Sequence, residues 1–362
     1  MSAILYYITG HGYGHAVRSN QVIRRLLEAR SDLKIHVRTT APDWLFSDPF
    51  SRVTHSHHSI DVGVIQRDSL QPDLGATLRA CEVLHADFPR LKRREVAFIQ
   101  DHNIRLIAGD IPPLCFEIAA QAGIPSVAIA NFTWSWIYRG YIREYPAFSP
   151  LVDEMESFYG KATLALTLPY SCAMDIFPRQ EPVPWIARVS ALTKEEARER
   201  FHLPKSATIV LLTFGGLGLQ RFPWHKLKEF REFFFVTTGA AESRDGNVFI
   251  LPDAQPRFED LLRGVDLIVT KPGYGIVADV IAHRLLMLHT DLGNFPEYPF
   301  LLQALNDLAT AEFISQQDLL SGKIDAGLNR LLVKEPNWRS VSLDGARVAA
   351  KRILELLDGN DG

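Results

Sequence analysis

At 362 residues the chain is long enough for two domains of ordinary size, each able to bury its own core. Hydrophobic residues at 47% against 22% charged exclude a disordered chain, and a formal charge of -3 without a long run of Lys or Arg gives no support for non-specific nucleic-acid binding. Three well-separated cysteines, Cys81, Cys115 and Cys172, form no C-x-x-C, which argues against a disulfide framework or a structural zinc. They suit buried thiols in a reducing compartment, so a cytoplasmic location is expected.

Residues 3–9 read as a strand, and the polar Gly10-His11-Gly12 cuts its apolar run short, so the opening is read as a first strand and not a signal peptide. No apolar stretch approaches the roughly 20 residues that span a bilayer. An amphipathic helix is expected over 15–29, with Val17, Val22, Ile23, Leu26 and Leu27 as its apolar positions. Residues 34–39 form the second strand. Buried strands follow at 104–108 and 126–130, with 112–123 between them ending in Gly123, a helix stop. Pro178, Pro182 and Pro184 mark 178–190 as an interdomain linker. Beyond it, Thr193 is placed to cap a charged helix with Glu196 three residues on. Strands then fall at 208–214, 233–237, 247–251, 265–270 and 285–289, with helices near 256–263, 275–283 and 298–308. A last helix over 343–357 carries Val348, Ile353, Leu354 and Leu357 on one face.

This alternation predicts an α/β protein of two Rossmann-like, doubly wound parallel-sheet domains. The boundaries are expected at 1–185 and 186–340, with 341–362 a C-terminal helix that could pack back on the first domain. Two such halves imply a cleft, with ligands at the carboxyl ends of strands.

Two loops carry the chemistry. The first is Thr9-Gly10-His11-Gly12-Tyr13-Gly14-His15, between the first strand and helix. It misses the dinucleotide fingerprint, because His15 stands at the third glycine position, and Arg38-Thr39-Thr40 supplies no acid for a ribose. Arg38 could still suit a 2′-phosphate, so NADP is disfavoured without being excluded. An imidazole in the first helical turn is held neutral by the helix field, as a general base requires. His15 or His11 could serve; either could equally hydrogen-bond only the loop backbone. Asp110, at the end of the strand 104–108, could orient the ring, or cap the next helix.

The second loop set is Phe214-Gly215-Gly216-Leu217-Gly218 and Thr270-Lys271-Pro272-Gly273-Tyr274-Gly275. One Lys, backbone N–H groups at Gly273, Tyr274 and Gly275, and a helix N-terminus fit a diphosphate. Asp279, one turn along, could accept from ribose hydroxyls. The pattern is not a Walker A loop, and no D-x-D occurs, so no metal site is expected. His55, His57 and His58 are read as an exposed strand and its end, not as metal ligands. Arg79 and Lys92-Arg93-Arg94 are read as a solvated helix face that could touch an anionic membrane or acceptor.

The stretch Tyr6-Tyr7-Ile8-Thr9-Gly10-His11-Gly12-Tyr13-Gly14-His15-Ala16 resembles the opening of the glycosyltransferase-like N-terminal region of plant L-arabinokinases. Asn131-Phe132-Thr133-Trp134, Phe214-Gly215-Gly216, Lys271-Pro272-Gly273-Tyr274-Gly275 and Glu297-Tyr298-Pro299-Phe300-Leu301 resemble it too. No kinase region is expected within the 362 residues. More distantly the chain resembles the lipid II-forming N-acetylglucosaminyltransferases and plant UDP-sugar transferases.

The resemblance implies a GT-B fold and an inverting, metal-independent glycosyltransferase. His15 would be the base, helped by Asp110. Lys271 and the Gly273–Gly275 amides would hold the diphosphate of a UDP-sugar co-substrate, with Gly215 and Gly216 beside it. Asp279 and Glu297 would take the ribose and the sugar. Gly12, Asn131, Trp134 and Trp136 would line the acceptor site, with Phe132 read as core. The acceptor would be a sugar, a lipid-linked or a small molecule. A nucleotide-sugar 2-epimerase and a non-catalytic nucleotide-sugar sensor are the competing expectations.

Overall fold

Six buried residues, Ala3–Ile8, open the chain as strand β1, and a fully buried apolar strand of this kind belongs in the middle of a parallel sheet. The computed structural model describes residues 2–46, 51–67, 71–215, 222–253 and 257–359. The chain divides into two units, the first of Met1–Gln66, Pro72–Ile186 and Val341–Gly362, the second of Arg67–Gln71 and Ala187–Ser340.

In the first unit β1 is followed by α1 (Tyr13–Ala29), β2 (Lys34–Thr39), β3 (Val53–His57), α2 (Leu74–Asp101), β4 (Ile104–Asp110) and α3 (Leu114–Ala122). Then come β5 (Ser126–Ala130), α4 (Trp134–Arg139), α5 (Ser149–Tyr159), β6 (Leu164–Thr167) and β7 (Gln180–Pro182). The seven strands form one parallel sheet in the order β3-β2-β1-β4-β5-β6-β7. Gly123 ends α3 in the left-handed conformation at φ 67°, where its lack of a Cβ costs nothing.

The proline-rich segment is not purely a linker. Gln180–Pro182 pairs with Ala165–Thr167 as the last strand of the sheet, and an edge strand is where a proline is tolerated. The chain leaves the unit after Ile186.

The second unit holds α6 (Lys194–Arg200), β8 (Thr208–Leu212), β9 (Phe233–Gly239), β10 (Ser243–Asp245), β11 (Val248–Pro252), α7 (Phe258–Gly264) and β12 (Leu267–Thr270). It continues through α8 (Tyr274–His283), β13 (Leu286–His289), α9 (Tyr298–Leu308), β14 (Ala311–Phe313), α10 (Gln316–Leu320) and α11 (Asp325–Val333). Thr193 caps α6 in a complete capping box with Glu196. The strand order is β10-β11-β9-β8-β12-β13-β14, parallel except for β10. Val210, Leu212, Phe235, Val269 and Leu288 from these strands meet Leu319, Leu328 and Leu331 in one core.

Helix α12 (Gly345–Leu357) returns to the first unit and packs on α1. Its Arg352 grips Glu181 of β7 with a two-pronged ion pair at 2.6 and 2.8 Å.

All three cysteines are buried thiols. The histidines of β3 and its end turn to different partners. His55 lies on the Ala41 carbonyl at 3.1 Å and stacks on Phe46, while His58 sits 3.7 Å from Glu95. Lys92 pairs with Glu117 at 3.6 Å and Arg94 with Glu95 at 3.1 Å. No helix among the described residues is long and apolar enough to cross a membrane.

Candidate active site

The first unit's chain reverses direction of travel across its sheet between β1 and β4, and ligands of open α/β sheets bind outside the carboxyl ends of such strands. Here Ile8 pairs with Asp110, and the Thr9 N–H donates to the Asp110 carbonyl at 2.8 Å. Gly10 and Gly12 shape the loop that follows. A Cβ on Gly10 would stand 1.8 Å from Thr40 Oγ1, and Gly12 takes φ +70°, a conformation few other residues adopt. Helix α1 starts immediately afterwards.

Positions i, i+3 and i+4 of a helix share a face, and on α1 these are His15, Arg18 and Ser19. All three are buried, and all three reach Asp110. Its Oδ1 accepts from His15 Nδ1 at 2.7 Å and Arg18 Nη2 at 2.6 Å; its Oδ2 accepts from Arg18 Nε at 2.6 Å and Ser19 Oγ at 2.9 Å. Arg18 Nη1 donates to Asn131 Oδ1 at 2.6 Å, which brings the end of β5 into the same cluster.

Burial alone would raise the Asp110 pKa, but the Arg18 charge, His15 and their hydrogen bonds outweigh it and bring it down to about 2. Burial, and then the Arg18 charge, push the His15 pKa below its usual 6.5 against the opposing pull of Asp110. His15 is therefore neutral near pH 7. Nδ1 lies 3.1 Å from the donor Arg18 Nη2 and 2.7 Å from Asp110 Oδ1; the shorter contact is to an ionised carboxylate, which only accepts, so the ring proton is assigned to Nδ1 and the lone pair to Nε2. This is the arrangement of a general base.

Asp110 is thus paired with His15. His11 is set edge-on against Trp134 at 5.2 Å, with its Nδ1 accepting from the Val64 N–H at 3.4 Å. Phe132 is buried and meets the His15 ring edge-on at 5.5 Å. Trp134, expected to line the acceptor site, stands as a wall of the cluster. It is only 1% exposed, and its indole Nε1 donates to Asp61 Oδ2 at 3.0 Å. Trp136 is half-buried and lines an open pocket of about 250 Å3 with Thr133, Ser135, Arg139, Glu156 and Asp175.

Arg18, Ser19 and Asp61 went unread in the sequence. The spacing of Arg18 and Ser19 from His15 was the available signal, but a charged helix residue is ordinarily assigned to the solvent face. Asp61 lies in a loop with no pattern. Burial pushes its pKa up, against hydrogen bonds from Ser59 and Trp134 and the charge of His15.

In the second unit the corresponding reversal lies between β8 and β12. Gly215 follows β8 and Lys271 follows β12, and the Thr213 N–H donates to the Val269 carbonyl at 3.1 Å. Gly216 lies outside the described residues. Gly273 is the N-cap of α8, no side chain caps it, and a Cβ there would meet nothing within 4 Å. Tyr274 is buried while Gly275 is half-buried. Glu297 occupies the N-cap position of α9, where a carboxylate suits the helix dipole.

Asp279, expected to take the ribose, is engaged by a side chain of the protein itself. It is 1% exposed, and Arg188 holds both its oxygens: the Arg188 N–H donates to Oδ1 at 2.9 Å, and Nε (3.0 Å) and Nη2 to Oδ2. A carboxylate so engaged is a structural tie between α8 and the segment entering the unit.

Residues 2–155 match the model of glycosyl transferase family 1. The chain is 29% identical over 364 residues to L-arabinokinase of Arabidopsis thaliana, covering 98% of this chain and 34% of that protein. It therefore spans about a third of that relative's length. Among solved structures, the glycotransferase of kitacinnamycin superposes with a TM-score of 0.61 at 14% identity, over 99% of this chain and 96% of that one. Phytolacca americana UGT2, complexed with UDP-2fluoro-glucose and pterostilbene, superposes at 0.58 and 13% identity, over 99% and 95%.

The chain has the GT-B glycosyltransferase fold.

Within this GT-B chain the glycosyl transferase family 1 match covers the whole His15, Arg18, Asp110 and Asn131 cluster. Lys271 and α8 fall outside that family match, in the part covered by the L-arabinokinase alignment and the structural likeness.

Proposed function

We propose that the chain is a glycosyltransferase that moves a sugar from a nucleoside-diphosphate donor to an acceptor hydroxyl, with inversion and without a metal. The observation that carries this reading is the buried His15–Asp110 pair, 2.7 Å apart at the carboxyl ends of β1 and β4. The first unit supplies the base and the second the donor site.

In the reaction, Nε2 of His15 takes the acceptor hydroxyl's proton as that oxygen attacks the anomeric carbon. The bond from that carbon to the diphosphate oxygen breaks, and its electron pair leaves on the nucleoside diphosphate. A single displacement of this kind inverts the anomeric centre. The ionised Asp110 stabilises the imidazolium that forms. Lys271 and the first amides of α8 neutralise the departing diphosphate, the task a divalent ion performs in other designs. No further cofactor enters. A UDP-sugar is the donor best supported, because the Phytolacca americana structure holds UDP-2fluoro-glucose. Asp110 and Asp279, two carboxylates that a 2-epimerase could have used for proton exchange, are each held by an arginine.

The test is a thermal-shift screen against nucleotide-sugars, followed by product analysis with the donor that stabilises. His15→Ala keeps the shift and loses about 10²–10⁴-fold in transfer rate. Lys271→Ala erases the shift. A wild type that binds donor but forms no product with any acceptor is a sensor, and an unimpaired His15→Ala removes His15 as the base.

A further inference from the structure

The geometry points to Arg18 as the positioning residue of the base: its fork clamps both oxygens of Asp110, so that His15 meets the carboxylate only through Nδ1–H and presents Nε2 to the acceptor. This inference rests on the proposed function for its kinetic consequence, but not for its tautomer readout.

A His–Asp pair alone leaves the carboxylate free to rotate and free to gain a proton. In this chain both are opposed. Nε and Nη2 of Arg18 approach the two Asp110 oxygens at 2.6 Å each, in the planar two-pronged geometry that a guanidinium alone supplies. Ser19 closes the remaining side at 2.9 Å. Arg18 is itself held, because Nη1 is anchored on Asn131 at 2.6 Å. Asn131 comes from the end of β5, so the clamp ties α1 to two neighbouring strands.

The guanidinium is 2% exposed and cannot reach a substrate as a ligand, so its role runs through Asp110. The clamp has a second effect. Around the imidazole stand Arg18 on α1, Asp110 at the end of β4 and Asp61 in the loop before α2, with Phe132 and Trp134 as apolar walls; His11, in the loop after β1, lies against Trp134. Arg18 cancels the charge of Asp110, and so the pull of that carboxylate on a proton at His15 is weakened. The base stays unprotonated in more acidic solution than an unclamped pair would allow.

Imidazole in water favours the proton on Nε2. Long-range nitrogen–proton correlation spectra of the full chain should therefore show one histidine, lost in His15→Ala, in the opposite Nδ1–H form at pH 7 and titrating below the usual imidazole range. In Arg18→Lys, which keeps a charge but not the fork, that histidine becomes a mixture of tautomers. Its kcat falls about 10- to 100-fold, the scale of loss for a misplaced catalytic group. In Arg18→Met the acid limb of kcat/KM moves to higher pH.

If Arg18→Met does not fold, the wild-type spectrum and Arg18→Lys still decide. A wild-type His15 in the Nε2–H form, or an Arg18→Lys chain with unchanged tautomer and rate, overturns the inference. A protein with the Nδ1–H tautomer and no transferase activity defeats the proposed function instead and leaves the clamp standing.

Discussion

His15 carries two opposed influences, and their balance fixes where the protein works. Burial and Arg18 lower its affinity for a proton; Asp110 raises it; the net direction is down from 6.5. If His15 is the base proposed above, kcat/KM should be flat across pH 7 and decline only on the acid side of 6.5, which a pH–rate profile checks. The same shift is a stability statement. A histidine whose folded pKa is depressed binds more protons unfolded, so its contribution is present above 6.5 and is lost as pH falls through the lowered folded value. Asp110 acts at lower pH: its contribution is present above 3.8 and is lost as pH falls towards about 2. Asp110→Ala separates the two roles of this carboxylate, since it leaves the Arg18 guanidinium buried without its fork partner. Breaking such a pair costs about 3–5 kcal/mol, to be read by urea denaturation. Asp110→Asn keeps the volume but offers an amide whose NH2 can turn the imidazole to the wrong tautomer. It should lose rate through the tautomer and stability through the unpaired Arg18 charge, so its kcat is compared with that of Asp110→Ala at matched fraction folded.

At the scale of elements, α8 is the most instructive. It is an apolar helix whose one buried carboxylate is spent on Arg188, a residue 15% exposed at its side chain against 2% for Asp279. Arg188→Ala strands that charge and should destabilise the second unit by about 3–5 kcal/mol, again by denaturant titration. The position of α8 was plain in the sequence, because Gly273 stands before an apolar run. Helix α9 likewise runs over the expected 298–308. The partner of Asp279 was not legible, since 91 residues separate the pair and no local pattern connects them. The same holds for Arg18 and Asp110, which are 92 apart. Periodicity reports which way a side chain faces, not which distant residue waits there. Strands β10 and β14 escaped for another reason. Each has three residues, and Ser243–Asp245 is exposed throughout, so neither shows a hydrophobic alternation to detect. Strand β7 was hidden by its prolines, which at an edge are compatible with pairing.

At the scale of the whole molecule, the first unit is not continuous in sequence, and α12 completes it. The Gly345 N–H donates to the Trp185 carbonyl at 3.1 Å and the Trp185 N–H to the Ser342 carbonyl at 3.2 Å, so outgoing and returning chain run side by side. A Cβ on Gly345 would stand 2.1 Å from the Pro184 carbonyl oxygen, which leaves room there for glycine alone. Ala349, Ala350, Ile353 and Leu356 are buried, and Arg30 pairs with Asp358 at the far end of the helix. Two buried aliphatic side chains at about 1.5–3 kcal/mol each already contribute about 3–6 kcal/mol. That is a large part of the roughly 5–15 kcal/mol that holds a domain folded. Deleting residues 341–362 should therefore unfold the first unit, or lower its melting temperature sharply. The second unit keeps its own core of Val210, Phe235, Val269 and Leu328 and should melt as before. Calorimetry of the truncated chain would show one preserved and one lost or displaced transition. Because the donor site is assigned to the second unit, the preserved transition should still rise with a nucleotide-sugar, while transfer is abolished. A truncated chain with both transitions intact would mean that α12 is an appendage and that the first unit folds without it.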